Sequence, residues 1–292
     1  HDNALGQIAE RLGVPVRYLR GLVTGDDWQQ DLAIKILNEH TGWTERSRVL
    51  IRSVENEVRG VMSDSYRRLN SMEIVESFIN QAYENGAVVA DGFCDATRVF
   101  VEVLLPQPID FLTPNNGEVT IAFGARIRTS DFGDGALAVE AFSMNGVCLN
   151  GMVRNSSFRK IHLGAKLADD LRYSEETYKL DTKTMASAIK DITGNLLSTE
   201  NIEAKAKEIQ NASGTVIDIQ KELGNLGKAG VLKDEVKEIE NIFLRNNPED
   251  GIQGGSTLWK LTEGITAHAR TKDPRREREL QEIAGKLMDR VK

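Results

Sequence analysis

The spacing of apolar positions changes period several times along the chain, and each change predicts an element. Over residues 4–23, Ile8, Ala9 and Leu12 keep helical spacing, Gly13 breaks it, and Pro15 suits the first turn of a second short helix. A third helix is predicted from about Asp27 to Glu39, burying Leu32, Ile34, Ile36 and Leu37, with Trp28 and Trp43 flanking it as core or interface residues. From Val49 the period shortens to two. Glu55-Asn56 turns the chain so that Glu57 to Ser63 pairs back as a hairpin, with Glu57, Arg59, Val61 and Ser63 on one face. Asn70 with Glu73 reads as a capping box. It opens a helix whose stripe of Met72, Val75, Phe78, Ile79, Ala82 and Tyr83 lies across a sheet until Asn85-Gly86 ends it.

Strict alternation then predicts the sheet. Thr97 to Leu105 points Val99, Val101, Val103 and Leu105 inward, Glu118 to Thr129 does so with Val119, Ile121, Phe123, Ala125 and Ile127, and Ala136 to Ser143 with Leu137, Val139 and Ala141. Period two sends Thr120, Arg126 and Arg128 to the opposite face. Of the two connections PQPIDFLTPNNG and TSDFGDG, the first is long enough for a flexible flap. Residues 165–243 read as amphipathic helices, 246–256 as a loop, and 257–269 and 274–291 as two last helices, the second opened by Asp273 and Pro274. Hairpin-length turns outnumber crossover helices. The expected fold is therefore α+β: an antiparallel sheet with a crossing helix (45–164), preceded by a small helical region (1–44) and followed by a helical C-terminal half (165–292).

Charge sharpens this picture. Six arginines (Arg46, Arg48, Arg52, Arg59, Arg67, Arg68) sit between residues 46 and 70 among three acids, in a chain of net charge −7. A pI near 5.3 argues against a wholly basic coat for duplex DNA and leaves room for a basic groove on an acidic body. Two cysteines in 292 residues fit a reducing cytosol, and no apolar run approaches the ~20 residues that cross a bilayer, so no membrane partner is expected. No charged-then-apolar leader opens the residues given.

The residues point to binding rather than catalysis. The four histidines lie far apart without ligand spacing, the glycine-rich stretches at 133–135 and 251–256 lack the lysine of a phosphate loop, and Cys148 and His162 have no evident partner; no cofactor or metal is expected. Arg52, Arg59, Arg67, Arg68, Arg126, Arg128, Arg154, Arg159 and Lys160 are the candidate phosphate contacts, with Tyr66 and Phe158 as stacking partners for bases. Residues 8–22 also have the layout of a helix-turn-helix, with Ala9, Gly13, Leu19 and Leu22 as its small residue, turn and anchors, and Arg17, Tyr18 and Arg20 free to face a groove.

Four motifs, LGVPVRYLRGL, LIRSVENEVRGVMSDSYRRLN, NGVCLNGMV followed by RKIHLG, and TLWKLTEGIT, span nearly the whole chain. On these the chain resembles the phage/plasmid-like protein family of prophages and conjugative-plasmid leading regions, departing from the family pattern at Lys160 to Leu163 and around Glu263-Gly264. The resemblance implies a mobile-element protein of the bacterial host cytoplasm, acting on nucleic acid and bringing no catalytic residue with it. The order of elements also resembles single-strand annealing proteins, which implies single-stranded DNA as partner and a homo-oligomeric ring or filament. The expectation is thus a non-enzymatic single-strand binding or annealing protein, the alternatives being a duplex-binding regulator through residues 8–22 or a structural or anti-defence assembly protein.

Overall fold

The computed structural model describes residues 1–41, 48–146, 151–160, 173–245, 252 and 254–291, with 153–160 and 291 by backbone alone. Trp43, Cys148, His162 and most of the loop expected at 246–256 lie outside the described residues. The fold is α+β with antiparallel sheets, small N-terminal helices and a helical C-terminal half.

Helices α1 (Asp2–Leu12), α2 (Val16–Val23) and α3 (Asp27–Thr41) close on a small core of Ala9, Val14, Leu19, Leu22 and Ala33. Gly13 ends α1 at φ 67, a left-handed conformation that glycine adopts without a Cβ penalty. Ile34, expected inside, is 58% exposed, and Trp28, expected as a core or interface residue, is 64% exposed and so outside the core. The face that α3 turns inward is centred on the small Ala33, which leaves both large side chains on the far side.

The hairpin forms as expected from β1 (Val49–Val54) and β2 (Glu57–Ser63), with Glu55 at φ 53 in the turn. A bulge alters the shared face. Arg52 lies opposite Gly60 and Ser53 opposite Val58, so Arg59 is the extra residue and leaves the alternation. Helix α1 is clamped to this hairpin by Gln7, whose side chain accepts from the Val61 N–H at 2.6 Å and donates to the Phe132 carbonyl at 2.8 Å.

Helix α4 (Ser71–Glu84) opens on Asn70, whose side chain accepts from the Met72 N–H at 3.1 Å. Glu73 bonds the Asn70 amide at 3.0 Å, while the Asn70 N–H reaches Thr182 instead, so only half of the predicted box forms. The buried stripe is Ile74, Phe78 and Ala82, flanked by Val75 and Ile79; Met72 and Tyr83 are 77% and 55% exposed.

The main sheet holds β3 (Val88–Cys94), β4 (Val99–Leu104), β6 (Gly117–Thr129), β7 (Leu137–Asn145) and β8 (Gly151–Lys160) in that order, all antiparallel, with β5 (Ile109–Thr113) paired to β6. The expected flap is strand β5. Asn115 and Asn116 beyond it are tied to Ser213, and Asn116 also to Thr257, which holds its hairpin against the C-terminal helices. The inward residues predicted for β4, β6 and β7 are buried or half-buried: Val101, Val103, Ala125, Ile127, Leu137, Val139 and Ala141 pack with α4 and α5 (Glu175–Leu196). Each full side chain buried there is worth about 1.5–3 kcal/mol.

A second core adjoins the first. The C-terminal helices α6 (Thr199–Gly214), α7 (Ile219–Leu226), α8 (Lys233–Arg245), α9 (Leu258–Ala269) and α10 (Pro274–Met288) form it with Met152 and with Val119, Ile121 and Phe123, which alternate in step with Ala125 and Ile127 along β6. Helix α9 buries eleven of its twelve residues, so the motif TLWKLTEGIT is a core helix. Helix α10 contacts β8 and sends Gln281 and Glu282 onto β6. No helix among the described residues is long and apolar enough to cross a membrane.

Candidate nucleic-acid interface

Seven of the eleven sequence-predicted site residues have described side chains, and most of them lead into ion pairs rather than to a common groove. Arg52, half-buried on β1, lies 3.3 Å from Asp131 and donates to the Leu69 carbonyl. Arg59, displaced by the bulge, bonds Glu57 at 2.9 Å and the Ala96 carbonyl at 3.2 Å. Arg67 makes a two-pronged pair with Asp181 of α5. That carboxylate holds the guanidinium's pKa above the usual arginine value.

The two arginines of β6 correct the expectation of an open basic face. Arg126 is fully buried, with Glu102 at 3.6 Å, Glu140 at 3.2 Å and Glu282 at 3.4 Å. Arg128 bonds Glu140 at 3.3 Å and Glu282 at 2.7 Å. Period two did place both on the face away from α4, but α10 closes that face and supplies Glu282 to it. Arg126 is therefore inaccessible to a strand. Burial pushes the Glu102 carboxyl above its ordinary value, against the opposing pull of the Arg126 charge.

Tyr66 is not a free stacking platform either. Its hydroxyl donates to the Ser130 carbonyl at 3.0 Å, and burial pushes its pKa up to about 12. Its ring borders a cleft of about 1070 Å³ between the N-terminal helices and the hairpin, lined also by Ile8, Leu12, Leu37, Val49 and Ile51. Arg154, Phe158, Arg159 and Lys160 lie on β8 opposite Ala141, Val139, Ala138 and Leu137, and their side chains are outside the described residues.

Arg68 stands apart. It is exposed, and its guanidinium lies 4.8 Å above the ring of Tyr178 in the first turns of α5. Tyr178 meets Tyr173 edge-on at 5.9 Å, and Tyr173 is 45% exposed. Ser174 caps α5 between the two rings, accepting from the Thr177 N–H and setting the direction in which the helix presents Tyr178. Exposed Lys179 and Lys183 follow, four residues apart and so neighbours on the surface of α5. These four residues were absent from the sequence-derived set. The signal was the run RYSEETYKLDTK, where two tyrosines bracket a cap and basic residues recur at helical spacing.

Comparison of the chain with models of protein families, with curated proteins and with solved structures returns no match.

Proposed function

We propose that the protein is a non-enzymatic, phage- or plasmid-encoded single-strand nucleic-acid-binding protein whose contact surface is the array of Arg68, Tyr178 and Tyr173 with Lys179 and Lys183, rather than the face of the sheet. The observation that carries this reading is the exposed Arg68 guanidinium stacked on Tyr178 with no carboxylate partner among the described residues. Sequence-independent strand binding needs cations for phosphates and planar groups for bases, and here the two types meet at the surface. Fluorescence anisotropy with a ~30-nucleotide strand tests it. Tyr178→Ala weakens binding by about 5-fold to 150-fold, from the ~1–3 kcal/mol that base stacking contributes. Arg68→Glu does the same. Unchanged affinity in both variants, or no binding by the native chain, removes the reading.

A second reading has its own support. Ala9 and Leu19 are fully buried, Leu22 is 5% exposed and Gly13 sits at φ 67, while Arg17 and Tyr18 face solvent, as a helix-turn-helix requires. Arg20 is spent on Asp2 at 2.6 Å. Sequence-specific duplex binding lost in Arg17→Glu, with Tyr178→Ala unaffected, favours this reading over the first.

A further inference from the structure

Arg68 is presented by a short segment that is fixed on both sides of it. Before it, Arg67 makes its two-pronged pair with Asp181, and the Arg67 side chain is only 16% exposed. After it, Leu69 is buried in the core that α4 and α5 share with the sheet, and the Asn70 N–H reaches the Thr182 hydroxyl at 3.4 Å. That hydroxyl donates in turn to the Tyr178 carbonyl at 3.1 Å. Asp181 follows Tyr178 by three residues on α5, so carboxylate and ring are neighbours on the helix surface. Consecutive arginines thus land on neighbouring residues of one helix: Arg67 on Asp181, and Arg68 at 4.8 Å above Tyr178.

The segment is also braced from the hairpin. Arg52 donates to the Leu69 carbonyl and lies 3.3 Å from Asp131, whose carboxylate accepts from the Ser71 hydroxyl at 2.7 Å and the Ser71 N–H at 3.3 Å. Ordering a long side chain on a ligand costs affinity unless the protein has ordered it beforehand. Here the backbone on both sides of Arg68 is set without a ligand.

We infer that Arg67 and Asp181 are positioning residues of the strand site: their pair holds Arg68 over Tyr178 before a strand arrives, and neither of them touches the strand. Because it serves the site proposed above, this role rests on the reading of Arg68 and Tyr178 as strand contacts. Positioning and simple electrostatics predict opposite signs for Asp181→Ala. The substitution removes an acid beside the array and releases Arg67, so if charge alone decided, binding would tighten and its salt dependence would steepen. Positioning instead weakens binding by about 2- to 12-fold, the cost of ordering one long side chain, with the salt dependence unchanged.

The test is fluorescence anisotropy with the ~30-nucleotide strand, read beside the arginine Nε–Hε signals of the isotope-labelled chain without strand. The Arg68 signal is the one missing from Arg68→Lys. In the native chain the Tyr178 ring displaces it upfield, and Tyr178→Ala gives its unstacked position. In Asp181→Ala the signal moves to that unstacked position and affinity falls. Arg67→Lys, which keeps the charge and loses the fork, does the same and takes over should Asp181→Ala fail to fold. In a variant with the native circular dichroism spectrum, a signal left at the native position, or an affinity equal to or above native, overturns the proposal. A native chain that binds no strand removes the reading of the site, and the signal without strand then decides by itself whether the pair holds Arg68 in place.

Discussion

Arg126 is the residue on which the sequence and the structure make opposite predictions, and Arg126→Met separates them. As a strand contact, its loss would weaken binding and leave stability alone. In the structure it is the cation between Glu102 and Glu140, which are 5% and 2% exposed, and it also bonds Glu282 of α10. Methionine fills much of the same space and removes the charge, taking the 3.6 Å ion pair from buried Glu102 and leaving buried Glu140 with Arg128 alone. Removing one partner of a buried pair costs about 3–5 kcal/mol. At about 2–4 °C per kcal/mol for a chain approaching this size, the thermal midpoint falls on the order of 10 °C.

The loss depends on pH. Glu102 already titrates above its ordinary value because of burial, and the Arg126 charge is the largest influence holding it down. Without Arg126 it rises further. A carboxyl whose folded pKa exceeds its unfolded one binds more protons when folded, so stability falls as pH rises through that interval and recovers as pH drops. The deficit of Arg126→Met is therefore largest at pH 8 and narrows towards pH 5. Adding Glu102→Gln restores part of the midpoint, since the charge that lost its 3.6 Å partner goes too. Scanning calorimetry across pH 5–8 reads all of this. A midpoint equal to native at pH 8, or a deficit that widens on acidification, refutes the buried-pair reasoning.

Glu235 behaves in the opposite sense: hydrogen bonds from Arg276, with the Leu232 N–H and nearby Lys272 in support, hold its pKa down at about 2. Its contribution, on the order of 3 kcal/mol, is present above its ordinary value of 4.5 and is lost as pH falls through about 2, so urea unfolding of Glu235→Gln shows a deficit at pH 7 that shrinks below pH 4.5 and disappears only below about pH 2. Gly254 sits at φ 79 with the Asn115 carbonyl where a Cβ would be, and Gly254→Ala costs more than about 1 kcal/mol in the same assay. Gly224→Ala, in α7 with nothing near the added carbon, is the control and stabilises by about 0.5–1 kcal/mol. An equal effect at the two glycines removes the steric argument.

The elements were legible because period is a local property. Alternation in β4, β6 and β7 named the inward residues, and Asn70 and Gly13 marked helix ends through their own chemistry. Azimuth was less legible: a stripe containing Met72 and Tyr83 has helical spacing as good as one centred on Ile74, and only α5 and the sheet decide between them. Among the candidate arginines, pairing was legible only for Arg59, whose partner Glu57 is two residues away. The partner of Arg67 lies 114 residues away, and Glu282 lies 156 residues from Arg126. A local cluster of arginines therefore looked free when its acids were distant in the chain. The same limit hid which strands lie at edges, since edge position follows from the order of the whole sheet.

That pairing also bounds how strongly strand binding responds to salt. Once Arg52, Arg59, Arg67, Arg126 and Arg128 are held by carboxylates, Arg68, Lys179 and Lys183 remain for phosphates among the described residues of the proposed array. Three neutralised phosphates give a slope of about −2 for log affinity against log salt, at roughly −0.7 per contact for a single strand. With a body of net charge −7, no long-range attraction supplements them. A slope near −2 that falls to about −1.4 in Lys183→Ala assigns the phosphates to α5. A slope of about −5 or steeper requires further cations, and the first to substitute are Arg154, Arg159 and Lys160 of β8, since the basic residues of β6 are already held by glutamates.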